Sequence, residues 1–257
     1  MTTALGAFDA YTARLAEWAR GDDRVLGVLL LGSGADPDRV DAWSDHDIAV
    51  IATPESVEAL RSDLSWLPDA SEVVTVGREW HDGFKALYAD GRVVEFAVTD
   101  PLGFETFPVT RARVVHDVGP VAGVLATSRT GTRPRALTDP AAAAAVLLVE
   151  LVVGVGRVRR GEVVSGGDVI RSEAVRTFAD LVVARRGSAH PDPFDGLRRF
   201  ETVAPELARR LAEVVARDAE SAARGLLELA EEALAPGWAQ WPEAGVRAVR
   251  ARLNWED

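Results

Sequence analysis

The sequence predicts an α+β protein, with a mixed β-sheet in its N-terminal part followed by an all-α helical bundle. Three observations carry this. Residues 25–51, VLGVLLLGSGADPDRVDAWSDHDIAVI, read as an apolar branched run, a Gly-Ser turn, a short irregular segment and a second apolar run. Residues 84–88 and 93–98 form two further strand-like runs joined across Asp90-Gly91, a dipeptide that favours a hairpin turn. Beyond residue 139 no strand pattern returns, and Ala, Leu, Val, Glu and Arg dominate, as in helical bundles.

Composition narrows the class. A chain of 257 residues makes one large domain or two small ones. With 47% hydrophobic and 27% charged residues it can bury a core and does not read as disordered. There is no cysteine, hence no disulfide framework and no thiolate metal site. The opening MTTALGAFDAY lacks the basic flank and long apolar core of a signal peptide. The longest apolar run, residues 141–155, is broken by Glu150 and Gly154 and is too short to span a membrane. The expectation is a cytoplasmic protein with no membrane partner. A net charge of −11 argues against a nucleic-acid partner, which needs a basic face, and suits a cationic small molecule.

Taken in order, residues 8–20 carry Phe8, Tyr11, Leu15 and Trp18 as the apolar stripe of a helix that packs on the sheet. The strand at residues 25–31 ends on Gly32-Ser33-Gly34, and the next opens with Ser44-Asp45-His46-Asp47 before Ile48-Ala49-Val50-Ile51. Pro54 marks a helix start and residues 55–64 continue it. Residues 72–76 form a short strand, the hairpin follows, and residues 111–116 make a last strand. Asp100, before Pro101, reads as a helix cap. The Gly, Ser, Thr, Pro and Arg content of residues 119–137 reads as a linker. Helical segments follow at residues 140–160, 168–186, 194–201, 205–217, 219–234 and 243–254.

Residues two apart on a strand point to one face, so Asp45 and Asp47 project together, and His46 faces the other way as a packing residue. Two carboxylates this close repel unless a cation lies between them, and a hard divalent ion with oxygen ligands fits. Glu95, on an interior strand that is apolar on both faces, is out of place there. One reading turns it toward Asp45 and Asp47. The other pairs it with Arg92 or Arg113 at a sheet edge.

These residues carry a resemblance. Leu31-Gly32-Ser33 followed by Ser44-Asp45-His46-Asp47-Ile48 resembles the Gly-Ser…Asp-x-Asp signature of the DNA polymerase β-like nucleotidyltransferase superfamily. Within it the chain is most similar to the bacterial aminoglycoside and lincosamide nucleotidyltransferases, whose last sheet strand ends much like His116-Asp117-Val118-Gly119. The resemblance covers about the first 118 residues and implies a nucleotidyltransferase domain at 1–118, a linker at 119–137 and a helical substrate-binding domain at 138–257. It implies a Mg2+-dependent transfer of a nucleoside monophosphate, AMP from ATP, to a hydroxyl of a small cationic molecule of the antibiotic type. Asp45, Asp47 and Glu95 are then the catalytic carboxylates and metal ligands, with Glu95 either a ligand or the base that takes the acceptor's proton. Gly32, Ser33, Gly34 and Ser44 cradle the nucleotide. Relatives commonly carry a basic residue just after Gly-Ser, whereas here stands Gly34-Ala35-Asp36, so Arg39 is the candidate substitute. Two other readings stay open: a nucleotidyltransferase acting on a protein, and a non-catalytic binding protein of the same fold.

The helical half carries no motif. Glu150, Asp168, Glu173 and Asp180 are its acidic candidates, Glu173 first among them, each weighed against a plain solvated face. Trp43, Trp80, Trp238 and Trp241 could stack on a base or sugar, though tryptophan is more often core. His81, His116 and His190 match no zinc spacing.

Overall fold

The computed structural model describes residues 4–79, 82–131, 137, 139–188, 192 and 195–255. The chain divides into two compact units, Met1–Arg133 and Pro134–Asp257. Trp80, His81, His190 and Phe194 lie outside the described residues.

The first unit opens with helix α1 (Ala4–Arg20) and runs through β1 (Val25–Leu31), β2 (His46–Ala52), α2 (Val57–Ser62), β3 (Val73–Arg78), β4 (Gly83–Tyr88) and β5 (Val93–Thr99). It closes with α3 (Pro101–Glu105), β6 (Ala112–Asp117) and α4 (Val121–Gly131). The sheet has six strands, in the order β3-β4-β5-β2-β1-β6. It is mixed: β2 and β5 run parallel, and the other four pairings are antiparallel. A parallel pair needs a crossover connection. Here α2, β3 and β4 supply it.

The two faces of the sheet are covered unequally. On one, Val28, Leu30, Ile48, Val50, Phe96 and Val98 pack against Phe8, Tyr11 and Leu15 of α1. On the other, Leu29, Leu31, Ala49 and Ile51 of β1 and β2 meet Phe104, Val121, Val124 and Leu125 from α3 and α4. That second cover includes no residue of β4 or β5. The part of the face carrying Lys85 and Glu95 is therefore left open, and those side chains are 48% and 36% exposed.

Helix α4 corrects the linker expectation. Its small and polar residues suggested a connector, but Val121, Val124, Leu125 and Ser128 recur at helical spacing and all four are buried. The helix sits close to β1 because Gly27 has no side chain, and a Cβ there would lie 1.9 Å from Val121 Cγ2. The cap expectation holds: the Asp100 carboxylate accepts from the Gly103 amide at 2.7 Å and starts α3.

All described elements of the second unit are helical: α5 (Pro140–Arg159), α6 (Val163–Asp168), a π-helical segment (Val169–Ala174), α7 (Val175–Arg185), α8 (Phe200–Val203), α9 (Pro205–Val215), α10 (Ala219–Leu234) and α11 (Glu243–Leu253). Asp139 caps α5 through the Ala142 amide at 3.0 Å. Among the described residues α5 is the one helix long and apolar enough to cross a membrane, with a mean hydropathy of 2.0. One side of it, Leu147, Leu151 and Val155, is fully buried with Phe178, Leu226 and Ala230 in the unit's own core. The second helix begins at Val163, ahead of the expected residue 168, because Gly166 lets it pass close to the Gly154 carbonyl.

His46 lies on the α1 side of β2, as strand parity requires. Its ring stacks on Phe8 with centroids 3.7 Å apart, and Nε2 lies 3.2 Å from the Phe8 carbonyl. Burial pushes its pKa down from 6.5 to about 4, against the opposing pull of the Phe8 carbonyl. A depressed pKa means that the unfolded chain binds the proton more readily, so this contribution to stability is whole above pH 6.5 and lost as pH falls toward about 4. The lost amount approaches about 3 kcal/mol across that window. In urea denaturation at about pH 7 and about pH 5, wild type should lose about 2 kcal/mol more than His46→Phe, which keeps the stack and cannot titrate. Equal losses in the two proteins would refute this.

Candidate active site

Register builds the site. In the parallel β2–β5 pair Asp47 stands directly opposite Glu95, flanked by the His46–Val94 and Ile48–Phe96 pairs. Both acidic residues face the open side of the sheet and line a cavity of about 520 Å3 together with Leu31, Lys85, Arg61 and Phe104. Gly32, which follows β1, lies beside Asp47. Its φ is +54°, a conformation that favours glycine, and a Cβ there would lie 3.2 Å from Asp47 Oδ2. The glycine thus leaves space beside one carboxylate oxygen.

In the antiparallel β4–β5 pair Glu95 stands opposite Lys85. Lys85 Nζ is 3.0 Å from Glu95 Oε1 and 3.5 Å from Glu79 Oε1. The hydrogen bond and the charge of Glu95 raise the Lys85 pKa above its ordinary value, so its ammonium form is held. Neither sheet-edge arginine is the partner of Glu95. Arg92 holds Asp90 and Asp69 at 2.6 and 3.2 Å, and Arg113 reaches Asp9 at 4.0 Å. The other cation of the cavity, Arg61, is engaged by Glu58 at 2.6 Å, Asp82 at 3.5 Å and the Val98 carbonyl at 3.0 Å.

The remaining expected residues disperse. Asp45 stands one residue ahead of β2, half-buried, and is not among the cavity's lining residues. Among the described residues no group of three or more His, Asp or Glu side chains is gathered as a ready metal site. The expected convergence of three carboxylates is therefore not present as a triad, because the Glu95 carboxylate is turned onto Lys85. Ser33 lies half-buried in a 3-10 turn, Gly32–Ala35, and its carbonyl accepts from the Asp36 amide at 3.1 Å. Gly34 is buried, and a Cβ on it would lie 2.9 Å from Phe8 Cζ, so packing accounts for that glycine. Ser44 turns to Asp41: its Oγ accepts from the Asp41 amide at 3.0 Å and donates to the Asp41 carboxylate at 3.2 Å. Arg39 ends the turn Pro37–Arg39, away from the cavity's lining.

Sequence reading passed over Lys85. One signal marked it, that it is the only lysine of the chain. A two-residue Asp90-Gly91 turn would have set Ala86 opposite Glu95, and it is the three-residue loop 89–91 that brings Lys85 there. Of the described candidate tryptophans, Trp238 and Trp241 are buried, whereas Trp43 is 94% exposed. In the second unit Asp180 is buried and Glu173 is exposed, and Glu150 accepts from Thr177 Oγ1 at 3.4 Å. Burial raises the Glu150 pKa, and the charge of Glu173 adds to the rise.

The donor set suits a hard divalent cation that keeps waters and shares substrate phosphates, since such an ion needs only one or two protein carboxylates. The gap that Gly32 leaves beside Asp47 Oδ2 is the feature that fits it.

No protein-family model matches the chain, and no curated protein does. Among solved structures the chain is similar to an aminoglycoside 6-adenyltransferase from Bacillus subtilis, at 11% identity over 100% of this chain and 94% of that one, with a TM-score of 0.33. It is also similar to a nucleotidyltransferase-like protein from Exiguobacterium sibiricum, at 15% identity over 88% of this chain and 75% of that one, again with a TM-score of 0.33. In its sequence, the Gly-Ser turn after β1 and the Asp-x-Asp at the start of β2 are where this chain resembles nucleotidyltransferases.

Proposed function

We propose that the protein is a nucleotidyltransferase that transfers AMP from ATP to a hydroxyl of a small cationic acceptor of the aminoglycoside or lincosamide type. The observation that supports it best is the β2–β5 register, which sets Asp47 opposite Glu95 in one cavity, with Gly32 beside Asp47. The helical unit is read as the acceptor-binding part.

In this reading Asp47, joined by Asp45 although that residue stands outside the cavity's lining, would hold Mg2+, whose charge would offset that of the triphosphate. The amides around Gly32 and the Ser33 hydroxyl bind phosphate oxygens. Glu95 is the base. Its carboxylate takes the proton from the acceptor hydroxyl as that oxygen bonds to the α-phosphorus, and the bond from the α-phosphorus to the bridging oxygen breaks to release pyrophosphate. The open face over β5 leaves room for the acceptor oxygen beside Glu95, and most of the rate comes from positioning.

Two substitutions test the reading, alongside incubation with labelled ATP, Mg2+ and a panel of aminoglycosides and lincosamides. Asp47→Asn keeps shape and removes charge. Transfer should fall by roughly a hundredfold or more, while the melting temperature without ligand stays level or rises, since a repulsion of about 1 kcal/mol is relieved. The upward melting shift that Mg2+ and ATP give wild type should shrink in the variant. A lower melting temperature with an intact ligand shift would mark Asp47 as a structural residue.

Gly32→Ala introduces the Cβ that would meet Asp47 Oδ2, whereas Gly91→Ala, at φ +86° with nothing within 4 Å, introduces strain alone. Both should lose roughly 1–2 kcal/mol of stability. Only Gly32→Ala should also lose the Mg2+-ATP melting shift, and equal retention in both variants would remove Gly32 from the site.

A further inference from the structure

We propose that Lys85 is the phosphate-binding cation of this cavity, its ammonium resting on Glu95 and Glu79 until an anionic phosphate group of a nucleoside triphosphate takes it. The inference rests on the reading that the cavity receives a nucleotide. The argument begins with charge. Asp47, Glu79, Asp82 and Glu95 line the cavity, and a phosphate chain brought among them meets repulsion unless positive charge is available. The turn after β1 offers no cation, since Gly34-Ala35-Asp36 stands where a basic residue would serve, and Asp36 itself engages the nearby Arg111 at 3.4 Å. Two lining residues are cationic, Arg61 and Lys85.

They differ in what they have left to give. Arg61 is 14% exposed and its guanidinium already serves Glu58, Asp82 and the Val98 carbonyl. Lys85 is 48% exposed, and of its two contacts the one to Glu79 is long, at 3.5 Å. An ammonium has three donors on a flexible stem and binds phosphate as a movable point charge. The position is also singular. The chain uses arginine for every other basic residue and places its only lysine on the strand opposite Glu95. A movable ammonium here does two things at once. It neutralises phosphate, and in leaving Glu95 it frees that carboxylate to accept the acceptor's proton.

The test measures binding rather than turnover. Dissociation constants for ATP, inorganic tripolyphosphate and adenosine, each with Mg2+, are measured by calorimetry or ligand-observed NMR on wild type, Lys85→Met and Lys85→Arg. Lys85→Met should bind ATP and tripolyphosphate roughly tenfold or more weakly, the loss expected for one charge-assisted hydrogen bond. Adenosine binding should not change, and Lys85→Arg should recover most of the tripolyphosphate affinity. The matched adenosine values control for misfolding of the variant. If Lys85→Met binds ATP as tightly as wild type, or loses adenosine to the same degree, the inference falls and the nucleotidyltransferase reading stands. If wild type binds tripolyphosphate through Lys85 yet transfers no nucleotide, the inference stands and that reading falls. If wild type binds neither ATP nor tripolyphosphate, both fall.

Discussion

Two carboxylates on neighbouring strands of one sheet face repel, and the arrangement of the first unit follows from holding such a pair. Asp47 and Glu95 are set together by the β2–β5 register, so neither can be moved without shifting a strand. Their charge is tolerable because the face is left open to water over β4 and β5 and because Lys85 lies against one of the two. Had α3 and α4 covered the whole face, as they cover β1 and β2, the acids would be desolvated, and burying an ionised group is strongly unfavourable. Open cover, parallel register and lysine partner are three parts of one solution.

The opposite face of β2 shows why the strand stays in place. His46 and Ile48 are locked into the core beneath α1, with the imidazole stacked on Phe8 and close to Tyr11 at 4.3 Å between centroids. A one-residue slip would exchange the faces, burying Asp47 under α1 and exposing His46. The apolar grip on one side therefore fixes the geometry of the acids on the other. Gly34 joins the two, since the same Phe8 ring that stacks on His46 occupies the space above the turn that ends β1.

Much of this was legible in the residues. Strand parity placed Asp47 and His46 on opposite faces, and the Asp90-Gly91 turn gave the β4–β5 hairpin, with Gly91 at φ +86°. Asp100 and Asp139 cap helices, as their positions before proline suggested. What composition concealed was α4, because Gly, Ser and Thr look like a connector until the buried spacing of Val121, Val124 and Leu125 is seen. Asp47 and Glu95 drew attention in the sequence, and Lys85 did not. Carboxylates in an apolar strand stand out against their neighbours, whereas a lysine on a half-exposed strand resembles any surface charge until the register pairs it. Ser44 illustrates the converse: adjacency to the motif suggested a ligand contact, and a local turn with Asp41 has taken its hydroxyl.

The order in which the sheet can close gives the β4–β5 hairpin one more role. Asp47 and Glu95 are far apart in sequence and meet only after the excursion through α2, β3 and β4, so loop-closure entropy delays their contact. Hairpins with short turns form locally and early, within about 1–10 μs. A hairpin that forms first would bring β5 to β2 with Lys85 already opposite Glu95. The ammonium that balances the finished face would then also lessen the repulsion met as the strands close.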